Sequence, residues 1–494
     1  METGPHRSPP GLRVYWSPGL RPFCPHIFPC LFVLSFYGNP MKRSFDVLLL
    51  FILLLARLML NKFAEASLFE HFQNVVRHPL VGGWLPPGAA DAFGPWYGDP
   101  IFLLLAAVSL LTFILYIFVD LFQARWGLSA TFRWKYGLLW VIILTLVILP
   151  TLKMALLRHD NLPHSYSHDG GVIQTEIAID YFLSGKNPYI EDYRDTPMAE
   201  WGFPEFRTAL DHYPYLPATF ILSAPVRLIS QGLIGWYDQR FTYLLLFTLI
   251  LFLAYALTRG TPQAALGLTM VLGLNPIMGL DVIFGQNDVF ILAWLVLSAW
   301  FLWRKQWVWG SVFFGIAAAS KPTAWFLAPF FLLLLLDSPT LPLHAILNKE
   351  TLVTLFRRAL PAGGVFLAFT LPYFLWSPND FIDDVWRWAA GTAETHYQIW
   401  GLGFANFVLA TGSLADRFAY WPFWIPELLA TVPTLLILLF HQLKQNTLAN
   451  QFWHGAVLLL VFAYFSRFLN ENYLGFLLAL FALGYFLQRD ITTA

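Results

Sequence analysis

The sequence predicts an all-α protein, a polytopic transmembrane helical bundle of about eleven to thirteen spans with a large external loop carrying interfacial helices. Three observations predict it. Of 494 residues, 57% are hydrophobic and only 12% charged, against roughly 25% charged in an ordinary soluble domain. The apolar residues fall in blocks of about 17 to 25, the length at which an α-helix crosses a hydrocarbon core of about 30 Å. No two-residue alternation competes, which excludes a membrane β-barrel.

Residues 1–40 are rich in Pro and aromatics and lack the basic-then-apolar order of a signal segment. Met41-Lys42-Arg43 places two cations directly ahead of the apolar run Phe45 to Leu60, a usual beginning for a membrane protein. Residues 1–40 are therefore expected to be a disordered tail or a misassigned start. Cys24 and Cys30, both in this extension, are the only cysteines, so neither a disulfide framework nor a Cys-based zinc site organises the rest.

Spans are expected near 45–60, 101–120, 137–157, 215–231, 241–258, 263–283, 287–303, 308–336, 359–376, 423–440, 453–467 and 472–488. Ser320-Lys321-Pro322 stands in the middle of the block 308–336 and divides it into two short helices, because Pro removes a backbone donor and clashes with the preceding turn. The chain then divides into two additional N-terminal spans (41–136), a membrane module with an external loop at 158–214 (137–376), and a late external loop with the C-terminal helices (377–494).

Basic residues of short loops prefer the cytoplasm. Lys42, Arg43, Arg125, Arg133, Lys135, Lys349, Arg357, Arg358 and Lys444 fit one orientation, with loops 61–100, 158–214 and 377–422 outside. Arg259 and the Arg304-Lys305 pair do not fit it together if every stretch between 231 and 305 crosses fully, unless Asn275-Pro276 breaks one span into a re-entrant pair. A multi-pass protein of the plasma membrane is expected.

Lys plus Arg equals Asp plus Glu at 30 each, which gives no case for a nucleic-acid partner. No glycine-rich nucleotide fingerprint stands between a strand and a helix. Charge is instead concentrated locally. The loop 158–214 holds ten acidic residues against four basic ones. Most of these acids read as a solvated loop, but Asp169 sits in Ser167-His168-Asp169-Gly170-Gly171, just ahead of Val172, Ile173, Ile177, Tyr181 and Phe182 at helical spacing. Such a helix lies on the membrane surface and holds Asp169 at the water–lipid boundary, where a lipid-linked donor presents its head group. Glu176 and Asp180, four apart on one face, form a second acidic pair of the kind surface helices carry routinely.

The order HDGG, interfacial helix, LSGKNPY, HYPYLPATFILSAPV (212–226), FGQND (284–288) and SKPTAWFLAP (320–329) resembles the GT-C integral-membrane glycosyltransferases. It is most similar to the polyprenol-phosphate-mannose-dependent mannosyltransferases of glycosyltransferase family 87, over roughly residues 137–488. The two spans near 45 and 101 depart from the family plan. The resemblance implies transfer of a hexose, mannose by likeness, from a polyprenyl-phosphate donor to a hydroxyl of a lipid or glycan acceptor on the external face, with inversion and with membrane lipids as surroundings. Asp169 matches the acidic residue thought to be the general base.

Around that carboxylate the expected substrate-binding residues are Lys321, His396, Gln286, Asn287, Asp288, Arg467 and Asn472. An ammonium inside an apolar block is costly and usually functional. Lys321 is read as a cation for the leaving phosphate, beside the alternative of a structural bond to a carbonyl freed near Pro322. Gln286, Asn287 and Asp288 bind sugar or phosphate, or form a polar turn capping the next helix. Arg467 and Asn472 flank the last external turn as ligands or helix-end anchors. His396 donates to the leaving oxygen, binds sugar hydroxyls, or is a solvated loop histidine. No cofactor and no metal are expected, since His164 and His168 with Asp169 make only a weak cluster. A secondary transporter, and a lipid-linked glycan polymerase or ligase, are the alternative functions; the sequence lacks the two-half repeat expected of many carriers.

Overall fold

In the computed structural model the described residues are 44–65, 71–94, 98–160, 169–200, 204–277, 280–346 and 348–488. Residues 1–40, and His164 and His168, lie outside them. Nearly every described element is a helix. The long apolar ones are α1 (Phe45–Glu65), α2 (Pro100–Leu121) and α3 (Leu128–Asp160). Helix α4 (Gly170–Leu183), expected on the membrane surface but buried over most of its length against the rest of the protein, and then α5 (Ala218–Ile234) follow. Next come α6 (Gln239–Thr258), α7 (Pro262–Gly273), α8 (Asp288–Trp303), α9 (Trp307–Ala318) and α10 (Pro322–Leu334), then α11 (Lys349–Trp376), α12 (Trp424–Lys444), α13 (Leu448–Phe465) and α14 (Glu471–Phe486). Seven of these are long and apolar enough to cross a membrane unaided, and the shorter apolar helices fill the bundle between them.

Local chemistry sets the helix starts. Asp99 caps α2 through Phe102 N–H at 2.9 Å, with Pro100 at the first helical position. Asp238 caps α6 and Thr447 caps α13 in the same way. Packing then sorts residues by face: Leu50, Leu54, Leu139, Ile143, Leu251, Phe290 and Leu483 join one continuous core, while Leu429, Ile437 and Phe440 of α12 stay exposed, as lipid-facing positions do.

The contacts assign each helix end to one of two ends of the bundle. At one end Lys135 binds Asp46 and Asp120, and Tyr136 packs on Tyr255. Arg259 lies over Trp303, Lys305 pairs with Asp337, and Asn446 bonds the Leu333 and Ser338 carbonyls. At the other end Arg57 reaches Asp281, Lys153 bridges Glu65 and Asp99, and Arg158 reaches Asp238.

This division corrects one expected span. The segment 215–231 does not cross. Leu216 and Ala218 N–H bond the Ser320 and Ala319 carbonyls, and just past α5 Trp236 stacks on His159 at the tip of α3. Both ends of α5 thus sit at the same end of the bundle, and α5 runs across that end with Leu228, Ile229 and Leu233 exposed. Its hydropathy had the length of a span; its tertiary partners show that it runs along the surface. With α5 removed from the crossing helices, Arg259, Arg304 and Lys305 all fall at the same end as Arg125, Lys349 and Lys444, and the parity conflict disappears without a re-entrant break at Asn275-Pro276. The opposite end has fewer cations in its short connections, Lys321 and Arg467 among them, and is the one the charge rule expects on the external side.

The break at Ser320-Lys321-Pro322 is present as expected. α9 stops at Ala318, Lys321 is extended (φ −158°), and Pro322 starts α10. Carbonyls freed by the break are satisfied by the segment leading into α5, including Thr219 Oγ1–H to the Ser320 carbonyl at 3.1 Å, the condition for irregular backbone at membrane depth.

Candidate functional site

Two short loops meet at the external end. The Asp169 N–H donates to the Phe284 carbonyl at 2.6 Å, which joins the HDGG turn to the FGQND turn. Glycine is required at their contact. Gly285 has φ +75°, and a Cβ there would fall 2.3 Å from Val172 Cγ2. A Cβ at Gly171 would lie 2.7 Å from Tyr215 Oη and 2.8 Å from Asp169 Oδ1, so these two polar groups converge on the space that Gly171 leaves open.

Asp169 is the N-cap of α4, its Oδ1 accepting from Gly171 N–H at 2.8 Å and its Oδ2 from Gln286 Nε2 at 3.2 Å. It is half-buried. Burial pushes its carboxyl above the ordinary carboxylate value, and the Gly171 N–H and the Lys321 charge offset only part of that. Lys321 Nζ donates to Asp288 Oδ1 at 2.7 Å and Asn287 Oδ1 at 3.1 Å, and sits over the Tyr473 ring at 5.2 Å. Asn472 Nδ2 donates to Asp288 Oδ2 at 3.3 Å, while the Oδ1 atoms of Asn470 and Asn472 are buried without a partner among the described residues. Asp169, Gln286, Asn287, Asp288, Lys321 and Asn472 are therefore one constellation drawn from sequence positions up to 303 apart. Four helices begin at it, α4, α8, α10 and α14, so four positive helix ends converge on the constellation.

His396 and Arg467 are placed differently. His396 Nδ1 is 2.8 Å from the Ala393 carbonyl and Nε2 is 2.6 Å from the Phe418 carbonyl, so both ring nitrogens are engaged within the late loop. Arg467 is 2% exposed and spreads its donors over the carbonyls of Tyr397 (2.7 Å) and Ala419 (3.2 Å). No carboxylate pairs with it among the described residues, and burial lowers its pKa to about 10.

Tyr215, Tyr397, Asn470 and Tyr473 also border the constellation and were not foreseen. Asn470 Nδ2 donates to Tyr397 Oη at 3.1 Å, and the Asp169 charge is felt at both Tyr215 and Tyr397. Each belongs to a polar run beside an expected residue (HYPY, ETHYQ, LNENY), a signal that tyrosine's frequency in membrane helices hides.

The late loop is tied to the turn before α14 by a strand pair and to the early loop by a histidine–carboxylate latch. Strand β1 (Trp400–Gly401) pairs in parallel with β2 (Phe468–Leu469). His212 Nδ1 is 2.6 Å from Asp384 Oδ1, its Nε2 donates to the Thr395 carbonyl at 2.8 Å, and Tyr213 N–H donates to Asp384 Oδ2 at 2.8 Å. Burial raises the Asp384 carboxyl to about 7. Burial opposes the charged His212 imidazolium, but the Asp384 bond and charge outweigh it and raise its pKa.

Among the described residues no group of three or more His, Cys, Asp or Glu side chains is arranged to hold a metal ion. Residues 183–337 match the family model described as alpha-(1->6)-mannopyranosyltransferase, N-terminal domain. No curated protein matches the chain. The matched stretch contains Gln286, Asn287, Asp288 and Lys321 and starts fourteen residues beyond Asp169. The chain is thus a membrane protein with a segment that matches a mannosyltransferase family model, and that segment holds four of the six residues of the constellation.

Proposed function

We propose that this chain is an integral-membrane mannosyltransferase of the plasma membrane. It moves mannose from a polyprenyl-phosphate donor to an acceptor hydroxyl on the external face, with inversion and with Asp169 as general base. One observation carries the reading: a half-buried carboxylate with a raised pKa is gathered with a buried ammonium, four helix N-termini and a set of amide side chains.

Each group has work in that reaction. The acceptor hydroxyl attacks the anomeric carbon while its proton passes to Asp169, and polyprenyl phosphate leaves from the opposite face in one displacement. The elevated Asp169 pKa brings base strength closer to working pH, where proton transfer is most effective. Gly171 N–H and Gln286 hold the carboxylate in position. Negative charge collects on the departing phosphate, and the Lys321 ammonium with the α8, α10 and α14 N-termini supplies fixed positive potential for it. Arg467 adds to that potential from the second layer while holding Tyr397. Asn287, Asp288 and Asn472 offer donors and acceptors suited to sugar hydroxyls.

The test is reconstitution of the purified protein with radiolabelled polyprenyl-phosphate mannose. α-1,6-Linked mannosides are the first acceptors to try, following the description of the matched family. Transfer is expected in the wild type, with Asp169→Asn slower by about 10² to 10⁴ while donor binding and folding persist. Solute uptake without transfer would replace this reading with a transporter.

A further inference from the structure

A cavity of about 260 Å³ opens beside α4, between the tip of α3 and the turn joining α5 to α6, lined by Arg158, Glu176, Asp180, Arg227, Trp236 and Tyr237 among others. Asp169 does not line it, yet the two are aligned along α4. Asp169, Glu176 and Asp180 stand at i, i+7 and i+11, which places them on one stripe of a 3.6-residue helix. At 1.5 Å per residue Glu176 is about 10 Å and Asp180 about 16 Å along α4 from Asp169. That is beyond the reach of a single pyranose ring at the reacting centre, and it lies along the surface on which an acceptor chain would rest.

The chemistry of the lining selects the occupant. Arg158 is held by Glu176 at 2.7 Å and Asp238 at 2.8 Å, and Arg227 by Asp180. Arg240 also holds Asp238, at 2.8 Å, so three guanidinium groups match three carboxylates, leaving no surplus positive charge for a phosphate or a carboxylate ligand. Hydroxyl groups, which donate and accept at once, suit alternating carboxylates and guanidiniums. His159 stacks on Trp236 at 4.2 Å with planes 5° apart, making an aromatic wall, and the Arg227 guanidinium lies 5.8 Å over the Tyr237 ring. A flat apolar wall beside paired donors and acceptors complements a pyranose, which has C–H faces and a rim of hydroxyls. The volume is just below the roughly 300–1,000 Å³ of pockets for drug-sized ligands, and the lipid-facing residues Leu228, Ile229 and Leu233 are elsewhere, on the exposed apolar side of α5.

We infer that this cavity is a remote acceptor subsite, binding a neutral sugar unit of an extended glycan whose terminal hydroxyl reacts at Asp169. The inference rests on the transferase reading, and direct binding separates the two. Full-length protein in lipid nanodiscs is titrated with an α-1,6-linked mannotetraose and with free mannose, followed by tryptophan fluorescence. Saturable tetraose binding is expected, weakened roughly tenfold or more in Asp180→Asn, as for loss of a hydrogen bond to a charged group, and in His159→Ala, which removes part of the aromatic wall. These two side chains are 53% and 42% exposed, and an unchanged thermal melt for each establishes that folding is intact. In transfer assays the advantage of tetraose over disaccharide acceptors should shrink by a similar factor in both variants. No saturable tetraose binding, or equal binding by wild type and both variants, overturns the subsite. Tetraose binding that the variants weaken, without any transfer from the donor, overturns the transferase and leaves the subsite standing.

Discussion

Lys153 and Lys321 are both ammonium groups inside apolar helical surroundings, and both are held by carboxylates. Lys153 is fully enclosed between Glu65 and Asp99, with His71 bonded to Asp99 at 2.8 Å behind them. Its neighbours come from the two N-terminal helices and the tip of α3. Lys321 is 8% exposed, has one carboxylate at 2.7 Å, and shares its surroundings with the half-buried Asp169, with amide oxygens lacking partners and with four helix starts. A buried lysine is therefore no marker of a site by itself. Glu65 Oε1 is likewise buried without a partner among the described residues, so what separates the two is that Lys321 shares its surroundings with the half-buried Asp169 and with four helix starts, whereas Lys153 is closed in by its own ion pairs.

The comparison can be broken most directly at Lys153. Lys153→Met leaves Glu65 and Asp99 buried together without their cation, and the cost should be about 3–5 kcal/mol of stability, read as a lower unfolding midpoint in detergent, with the activity of the folded fraction retained. Loss of activity out of proportion to unfolding would place Lys153 in the catalytic path. Lys321→Gln should show the converse: kcat lower by about 10² to 10³, as when a transition-state donor is removed, with a smaller change in the melt. Equal effects on stability and none on kcat would make Lys321 a structural residue like its counterpart.

Between these extremes stands Arg57 of α1, which donates to Asp281 at 2.8 Å and to the Asn275 carbonyl at 3.3 Å. Asp281 in turn closes the FGQND turn, its carbonyl accepting from Gly285 and Gln286 N–H at 3.0 and 3.1 Å. Arg57→Gln should lower kcat about tenfold, because a misplaced Gln286 no longer orients Asp169. Arg57→Lys should recover part of that loss; no recovery, with a matching fall in stability, would reduce Arg57 to a packing role.

The smallest effect is expected at the His212–Asp384 latch. Unfolded Asp and His titrate near 3.9 and 6.5, and both groups are raised in the fold. The folded state therefore holds more protons than the unfolded one, and stability falls as pH rises from about 4 through 7 and above. Measured against pH, the melting temperature should decline across this window in the wild type and flatten in Asp384→Asn. A melting temperature that rises over the same window would contradict the assignment.

Much of the constellation was legible because polar residues interrupt apolar runs at 169, 286–288, 321 and 472, and each interruption is costly enough to need a purpose. The break at Pro322 was legible for the same reason. The course of α5 was not, because 215–231 has the hydropathy of a span and only its bonds to Ala319 and Ser320 show that it turns along the surface. Nor were the partners of Arg57 and Lys153, which lie as far as 224 residues away in sequence. For His396 and Arg467 the sequence showed polar side chains at an external turn, but not that loop carbonyls would already occupy their donors.

α5 leaves Leu228, Ile229 and Leu233 exposed and its first turn is stitched to the backbone beside Lys321, so on the proposed reading lipids against α5 press on the segment that positions the cation proposed for the leaving phosphate. Turnover should then respond to the lateral pressure and curvature of the surrounding bilayer, so that the enzyme in tightly curved vesicles and the enzyme in flat discs of identical lipid would work at different rates.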